Sequence, residues 1–357
     1  MALAILGKNR SNYPYAVARV QAKRGKLIPR ADYDKILKMD VSEITRFIEE
    51  SAYKNEVDEL ASRFSGLDLL EAALSVNEER TDAAVRRMLK GEAKDMIAAF
   101  LMRNLVDDIK TVLRGKNVGA TREELIKEML VEDLDTYHIF DPVLRDDVKS
   151  VDDVILALER QGGIAARWAK VLKKVPEGAS LPAYEDALDK AYFAGLLEAA
   201  DSFSEQGAGA LLQFVRREID ARNLHNVARW VHAGAEGDFT PYVIPGGRSL
   251  NVADVLALAA CKDLQALDEE VQATNLPSEF KTGVKEAAAA GRQAPMALHI
   301  RRGFFAAIDK LAHSNPLSIL PILVFLVRKH QEVVTLRAIA RGKAAGLSEA
   351  RLQELVA

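Results

Sequence analysis

The sequence predicts an all-α protein built from three structurally similar helical domains. Its composition favours helices, and two motifs each recur three times along the chain. The 357 residues are rich in Ala, Leu, Val, Glu, Lys and Arg, and only 6% are aromatic. No segment shows the period-two alternation that is typical of a half-buried strand.

The first repeated motif is a seven-residue helical pattern at 108–114, 223–229 and 335–341, at intervals of 115 and 112 residues. Apolar residues fall at i, i+3 and i+4, which is the spacing of one buried helix face. A basic pair at i+1 and i+5 shares a second face of the same helix. These pairs are Lys110/Arg114, His225/Arg229 and Arg337/Arg341.

The second motif is a helix start that precedes the first motif in each copy. A short polar residue suited to an N-cap is followed by Val, and an acid stands at the third helical position. The pairs are Asp40/Glu43, Ser150/Asp153 and Asn251/Asp254. Because both motifs keep their order and rough separation, the sequence predicts helical repeat domains at residues 1–120, 121–236 and 237–357.

Periodicity and punctuation predict helices almost throughout the chain. We expect them at 15–26, 33–38, 41–51, 67–116 with a break near Gly91, 123–130, 151–160, 165–172, 183–202, 208–233, 252–260, 264–273, 280–313 and 316–343. The apolar run at 316–327 is too short to cross a bilayer, which needs about 20 residues. It is interpreted as a core helix in preference to a membrane-inserting segment.

Charge is distributed unevenly along the chain. No acid precedes Asp32, whereas Lys8, Arg10, Arg19, Lys23, Arg24, Lys26 and Arg30 do, although the net charge is −3. On a helix, Arg19, Lys23 and Lys26 would form one basic stripe at i, i+4 and i+7. The stripe is interpreted as a solvated or internally paired face, or else as a surface for an acidic partner or anionic lipid. Nucleic acid is not expected, because few aromatic residues accompany the basic segment.

The motifs of common enzyme classes are missing from the sequence. There is no phosphate-binding Gly-x-x-x-x-Gly-Lys loop, no His-Glu-x-x-His zinc motif and no Gly-x-Ser-x-Gly elbow. The single Cys261 cannot form an internal disulfide. An all-α magnesium enzyme of the prenyl-transfer kind would need two converging acidic clusters, whereas only adjacent pairs such as Asp107-Asp108 are visible. No catalytic residue, cofactor or metal is expected.

Three segments carry a resemblance to a known family: the opening 15–27, the loop 242–247 and the ending 329–339. Together with the three helical repeats, they resemble the C subunit of archaeal and bacterial A/V-type rotary ATPases, the relative of the eukaryotic V-ATPase d subunit. The family's terminal helix is matched at Lys329, Glu332, Val333, Leu336 and Arg337, with departures at His330 and Thr335. Its Glu/Asp-x-x-Asn-Leu signature recurs from Asp220 to Leu224, whereas Asp108 replaces the Asn in the first copy.

The resemblance implies a non-catalytic, pseudo-threefold funnel. Such a funnel caps the membrane rotor ring of proteolipid subunits and receives the foot of the central shaft, made of subunits D and F. The protein is then peripheral, on the cytoplasmic face of the membrane, and transmits torque for ion transport and ATP synthesis or hydrolysis. A generic helical adaptor unrelated to rotary ATPases stays open as the alternative.

On this interpretation the repeated arginines either line the socket for the shaft or brace neighbouring helices. Bracing is preferred, with buried acids such as Asp220 or Glu332 as the expected partners. The candidate interaction or bracing residues are Lys110, Arg114, Asp220, Asn223, Arg229, Glu332, Arg337 and Arg341, and the candidate basic surface comprises Arg19, Lys23 and Lys26.

Overall fold

The structure is a computed structural model that describes residues 11–129, 139–176, 178–204, 206–291 and 293–356. These residues form helices, turns and loops without any strand, so the all-α prediction is confirmed. The helices are α1 Tyr13–Arg24, α2 Arg30–Ile36, α3 Val41–Glu49, α4 Lys54–Leu60, α5 Gly66–Met88, α6 Glu92–Val118, α7 Arg122–Glu128, α8 Val151–Gln161, α9 Gly163–Leu172, α10 Leu181–Ser202, α11 Gln206–His232, α12 Val252–Ala259, α13 Leu264–Ala273, α14 Ser278–Ala290, α15 Gln293–Ser314, α16 Leu320–Ala344 and α17 Glu349–Val356. A 3-10 turn, Thr240–Tyr242, follows α11.

The repeated helix starts fold as the sequence predicts. In α3, α8 and α12 the N-cap side chain accepts the backbone N–H of the third helical residue, and that residue's carboxylate accepts the N-cap N–H. Each capping box satisfies two N–H groups that a first helical turn would otherwise leave unpaired. Thr121 and Glu124 form the same arrangement at the start of α7, where it was not predicted.

Two glycines interrupt long helical stretches. The predicted break near Gly91 is confirmed, because α5 ends at Met88 and Gly91 takes a positive φ of 60° before α6. The single helix predicted at 280–313 is wrong. Gly291, with a φ of 59°, ends α14 in the left-handed conformation, and α15 begins two residues later. The short helices α4 and α17 were not predicted.

The seven-residue motif lies towards the end of each of the three longest described helices. These helices, α6, α11 and α16, have 27, 27 and 25 residues. All nine apolar residues of the motif are buried, which confirms the predicted helix face: Ile109, Val112, Leu113, Leu224, Val227, Ala228, Leu336, Ile339 and Ala340. The repeats therefore build the core with the same face.

Each long helix packs against a helix from another third of the chain. Helix α6 lies on α10, α11 lies on α15, and α16 returns to lie on α5. We call these contacts the α6/α10, α11/α15 and α16/α5 junctions. Because the last junction joins the C-terminal third to the N-terminal third, the three junctions close a cycle.

The apolar run of α16 lies in the protein interior. Residues 319, 320 and 322–326 are no more than 3% exposed. The prediction of a core helix is therefore confirmed. Among the described residues, no helix combines the length and apolar character needed to cross a bilayer.

Candidate functional site

A central cavity of about 290 Å³ is lined by residues of α6, α10, α11, α15 and α16. Three of its lining residues occupy one position of the repeat, six residues before the first apolar residue of the motif. They are Arg103, Glu218 and His330. Equivalent positions of the three copies therefore face a common space.

Arg103 and Glu218 form a bidentate ion pair in this cavity. The Nη1–Oε1 and Nη2–Oε2 distances are 3.1 and 2.9 Å, and both side chains are largely buried. The guanidinium also donates to the Tyr192 hydroxyl and lies 3.7 Å from the ring centroid of Phe100. Fork-to-fork pairing of this kind fixes direction as well as distance, so it locks α6 to α11.

The third member of the set, His330, pairs with an acid of α5. Its Nδ1 lies 2.9 Å from Glu78 Oε1. Burial works against the charged imidazole, but the carboxylate of Glu78 outweighs it and raises the pKa of His330. Nearby, burial and the charge of Glu78 raise the pKa of Asp82 to about 7. A titratable cluster therefore lies between α5, α6 and α16.

At the α6/α10 junction, both basic residues of the motif bind acids of the facing helix. Lys110 Nζ lies 2.5 Å from Asp189 Oδ1. Arg114 binds Glu185 through two bonds of 2.6 Å. The two acids are four residues apart on α10, so they meet a basic pair of the same spacing on the antiparallel helix.

At the α16/α5 junction, the basic pair of the third motif copy, Arg337 and Arg341, faces α5. Arg337 Nη2 donates to Ser75 Oγ at 2.7 Å. Arg341 binds Glu71 and also contacts both carboxylate oxygens of Glu128 in α7, at 2.9 and 2.8 Å. One arginine from the last third of the chain thus binds acids of the first third and of α7.

The prediction that Asp220 and Glu332 pair with the repeated arginines is wrong. Arg114 binds Glu185 and Arg341 binds Glu71 and Glu128, whereas Asp220 and Glu332 accept backbone N–H groups of other segments. Arg229 of α11 is exposed and lines a second cavity with residues of α6 and α10, and it has no ion pair or hydrogen bond to any described residue.

Asp220 and Asn223 hold the loop that follows α11. Asn223 donates to the Ile244 carbonyl at 2.8 Å and accepts the Ile244 N–H at 2.9 Å. The fully buried Asp220 accepts the N–H groups of Ser249 and Leu250. Burial outweighs these bonds and raises the pKa of Asp220 to about 6. The signature from Asp220 to Leu224 therefore positions the segment that leads into α12.

Glu332 occupies the repeat position of Asp220, four residues before the first apolar residue of its motif. It accepts the Ile28 N–H at 2.6 Å and the Tyr53 hydroxyl at 2.7 Å, and Lys329 lies 3.1 Å away. Burial raises the pKa of Tyr53, and the carboxylate adds to that effect. In both copies a buried acid therefore binds the backbone of an incoming segment.

The basic stripe is shorter than predicted. Helix α1 ends at Arg24, so Lys26 lies in the following turn rather than on the helix. Arg19 is exposed and contacts the hydroxyl of Tyr15, and Lys23 is partly exposed. Arg24 lies 3.4 Å from Asp309. The basic residues Lys8 and Arg10 lie outside the described residues.

Some residues of this site were not predicted. Arg103, Glu218 and Tyr192 were not identified from the sequence. Arg103 and Glu218 could have been found, because these two residues of opposite charge occupy the same position of the repeat.

In the described part of the chain, no group of three or more His, Cys, Asp or Glu side chains is placed to hold a metal ion.

The chain matches known proteins over nearly its whole length. The family model described as ATP synthase (C/AC39) subunit matches residues 16–355. The C subunit of the A-type ATP synthase of Methanosarcina mazei is 33% identical over 354 residues, covering 97% of this chain and 93% of the relative. That of Haloferax volcanii is 31% identical over 338 residues, covering 94% and 95%. With its all-α fold and a family match across both terminal segments, the chain belongs to the ATP synthase (C/AC39) subunit family.

Proposed function

We propose that this chain is a non-catalytic central-stalk subunit of a rotary A-type ATP synthase. It couples a shaft of subunits D and F to the proteolipid rotor ring, and so transmits torque between ATP chemistry and ion transport. On this proposal it lies peripherally at the cytoplasmic face of the membrane, and its three domains, 1–120, 121–236 and 237–357, form a pseudo-threefold funnel.

The observation that carries the proposal is the closed cycle of junctions around the central cavity. Helix α6 lies on α10, α11 on α15 and α16 on α5, so no third of the chain is free of the other two. A body closed in this way resists twisting better than three domains joined in a line, because relative rotation would have to break two junctions at once. Resistance to twisting is what a torque-transmitting coupling needs.

The polar contacts of the cycle support the same proposal. The Arg103–Glu218 pair joins α6 to α11, and Arg341 joins α16 to α5 and α7. These contacts are directional, so they oppose sliding along the helix axes, which apolar packing alone resists weakly. Family membership also supports this proposal over a helical adaptor unrelated to rotary ATPases.

Binding to the shaft and to the ring tests the proposal. The purified chain is mixed with a D–F complex, and separately with detergent-solubilised rotor ring, and the masses of the complexes are measured by size-exclusion chromatography with light scattering. We expect a 1:1 complex with D–F and a stable complex with the ring. Binding to neither, by a chain that is helical by circular dichroism, would show the proposal to be wrong.

A further inference from the structure

The α11/α15 junction differs in charge from the other two junctions. Glu71 and Ser75 of α5 correspond to Glu185 and Asp189 of α10, because each pair binds the basic pair of a repeated motif. Their counterparts in α15 are Ala297 and Arg301, because Glu185 and Ala297 each lie 39 residues before the first apolar residue of the motif. Where α10 carries two acids, α15 therefore carries a methyl group and a positive charge.

In the structure, Ala297 and Arg301 lie close to the basic residues of α11. Ala297 and Arg301 line the central cavity together with Arg222 and His225. At the α6/α10 junction, the residue that corresponds to His225 is Lys110, which binds Asp189. At the α11/α15 junction the position of Asp189 is taken by an arginine.

The positive charges at this junction have no counter-ion among the described residues. Arg222, Arg229 and Arg301 make no ion pair and no hydrogen bond with them. Burial alone lowers the pKa of Arg301, and burial with three neighbouring arginines lowers the pKa of His225 to about 4. The Arg301 guanidinium stays charged even so, and a partly desolvated charge without a partner is costly, whereas Arg222 and Arg229 are exposed and accessible to a partner.

Arg222, His225 and Arg229 also line a second cavity with residues of α6 and α10, but the acids of that cavity make no ion pair with them. Lys110 binds Asp189 and lies 3.6 Å from Asp107, and Arg114 binds Glu185. Glu218 is paired with Arg103. A further acid, Asp186, makes no ion pair with any described residue, and burial with the charge of Asp189 raises its pKa to about 6.

We propose that the α11/α15 junction binds the carboxylates of an acidic helical segment of a partner protein, in place of the acids that α15 lacks. Carboxylates at i and i+4 of a helix are the partners that the α6/α10 junction uses. Arg222 and Arg229 are separated by about 10 Å along α11, since each helical residue rises about 1.5 Å. That span suits a helix with several acids better than a single small anion. The proposal rests on the proposed function, which makes the foot of the shaft the partner.

The key variant is Ala297→Glu, which restores the acid of the repeat from within the chain. We expect the new carboxylate to pair with Arg301, one turn further along α15, and with Arg222 of α11. The variant should then have a higher unfolding temperature and bind D–F about tenfold or more weakly. Loss of binding by a variant that is more stable cannot be assigned to misfolding. The double variant Arg222→Glu/Arg229→Glu is expected to weaken binding similarly, and the exposed Arg160→Glu on α8 is the control.

Calorimetric titration of the chain with D–F, and separately with poly-L-glutamate, distinguishes a failure of this inference from a failure of the proposed function. Wild-type binding to both, lost in Ala297→Glu and kept in Arg160→Glu, is the expected result. D–F affinity within about twofold of wild type in both junction variants would overturn the inference and leave the proposed function intact. If wild type fails to bind D–F, the proposed function is wrong. The polyglutamate titration then decides the inference alone, and binding of inorganic phosphate without polyglutamate also overturns it.

Discussion

Arg103 and Glu218 occupy the same position in two copies of the repeated helix, and they form a buried ion pair with each other. Their counterpart in the third copy, His330, turns to Glu78 of α5 instead. The three copies thus use one position to hold the centre of the protein, with different chemistry in each. A repeated sequence can therefore specify unequal contacts.

The Arg103–Glu218 pair predicts a large cost for removing one charge. Glu218→Gln should lower the free energy of unfolding by about 3–5 kcal/mol, because it leaves a buried guanidinium without a counter-charge. Urea denaturation measures the change. Glu185→Gln is the matched control, since its partner Arg114 is 57% exposed and such pairs contribute about 0–1 kcal/mol. Equal costs for the two variants would contradict the role given to the central pair.

The bonds between Asn223 and Ile244 predict local protection of the loop after α11. Asn223→Ala removes a donor and an acceptor from buried backbone groups, and each loss should cost about 1–3 kcal/mol. Hydrogen exchange should then show faster exchange of the Ile244 amide. Asn226→Ala is the control, because Asn226 donates an exposed bond of 3.2 Å to the Tyr242 carbonyl. An unchanged Ile244 exchange rate in Asn223→Ala would show that the loop is held by other contacts.

Gly247 predicts a steric requirement at the same loop. A Cβ atom there would lie 2.3 Å from Asp220 Oδ1 and 2.6 Å from the Leu250 carbonyl oxygen. Gly247→Ala should therefore destabilise the protein by about 1–3 kcal/mol. Gly209→Ala in α11 meets no atom within 4 Å and should stabilise the helix by up to about 1 kcal/mol. Thermal unfolding of the two variants should shift in opposite directions, and a shift in the same direction would contradict this packing.

The cluster around Asp82 predicts a pH dependence of stability. The pKa of Asp82 is raised to about 7, so the folded state binds its proton more tightly than the unfolded state does. Stability from this group is complete below about pH 4 and is lost as the pH rises towards 7. The pKa of His330 is also raised, so the stability that its proton provides is likewise lost as the pH rises.

Asp82→Asn tests this dependence, because the amide oxygen can still accept the bond that Asn104 donates. The variant should be more stable than wild type at about pH 8, and its stability should fall less between about pH 5 and pH 8. Urea denaturation at both pH values measures this, with the surface substitution Asp58→Asn as control. A variant with the full wild-type slope would show that Asp82 does not titrate in this range.

The elements and faces of this fold could be predicted because local patterns encode them. The buried sides of α6, α11 and α16 follow from apolar spacing, and the capping boxes follow from residues three apart. The end of α14 could not be predicted in this way, since a glycine such as Gly291 is also tolerated inside a helix, and its φ is set by the surrounding structure.

The partners of the repeated arginines could not be read from the sequence. Arg341 binds Glu71, which lies 270 residues away, and no local pattern singles out that acid among 52 acidic residues. Asp220 and Glu332 lie on the same helices as the repeated arginines, and their carboxylates accept N–H groups of incoming segments instead. Long-range charge pairing depends on the packing of the helices, which only the structure provides.

Coupling in a reconstituted rotary complex tests the central claim most directly. ATP hydrolysis and ATP-driven ion uptake into vesicles are measured for a complex assembled with and without this chain. A non-catalytic coupling role predicts that the catalytic head hydrolyses ATP in both cases, whereas ion uptake requires the chain. Ion uptake that persists without the chain, or hydrolysis by the isolated head that requires it, would contradict the account.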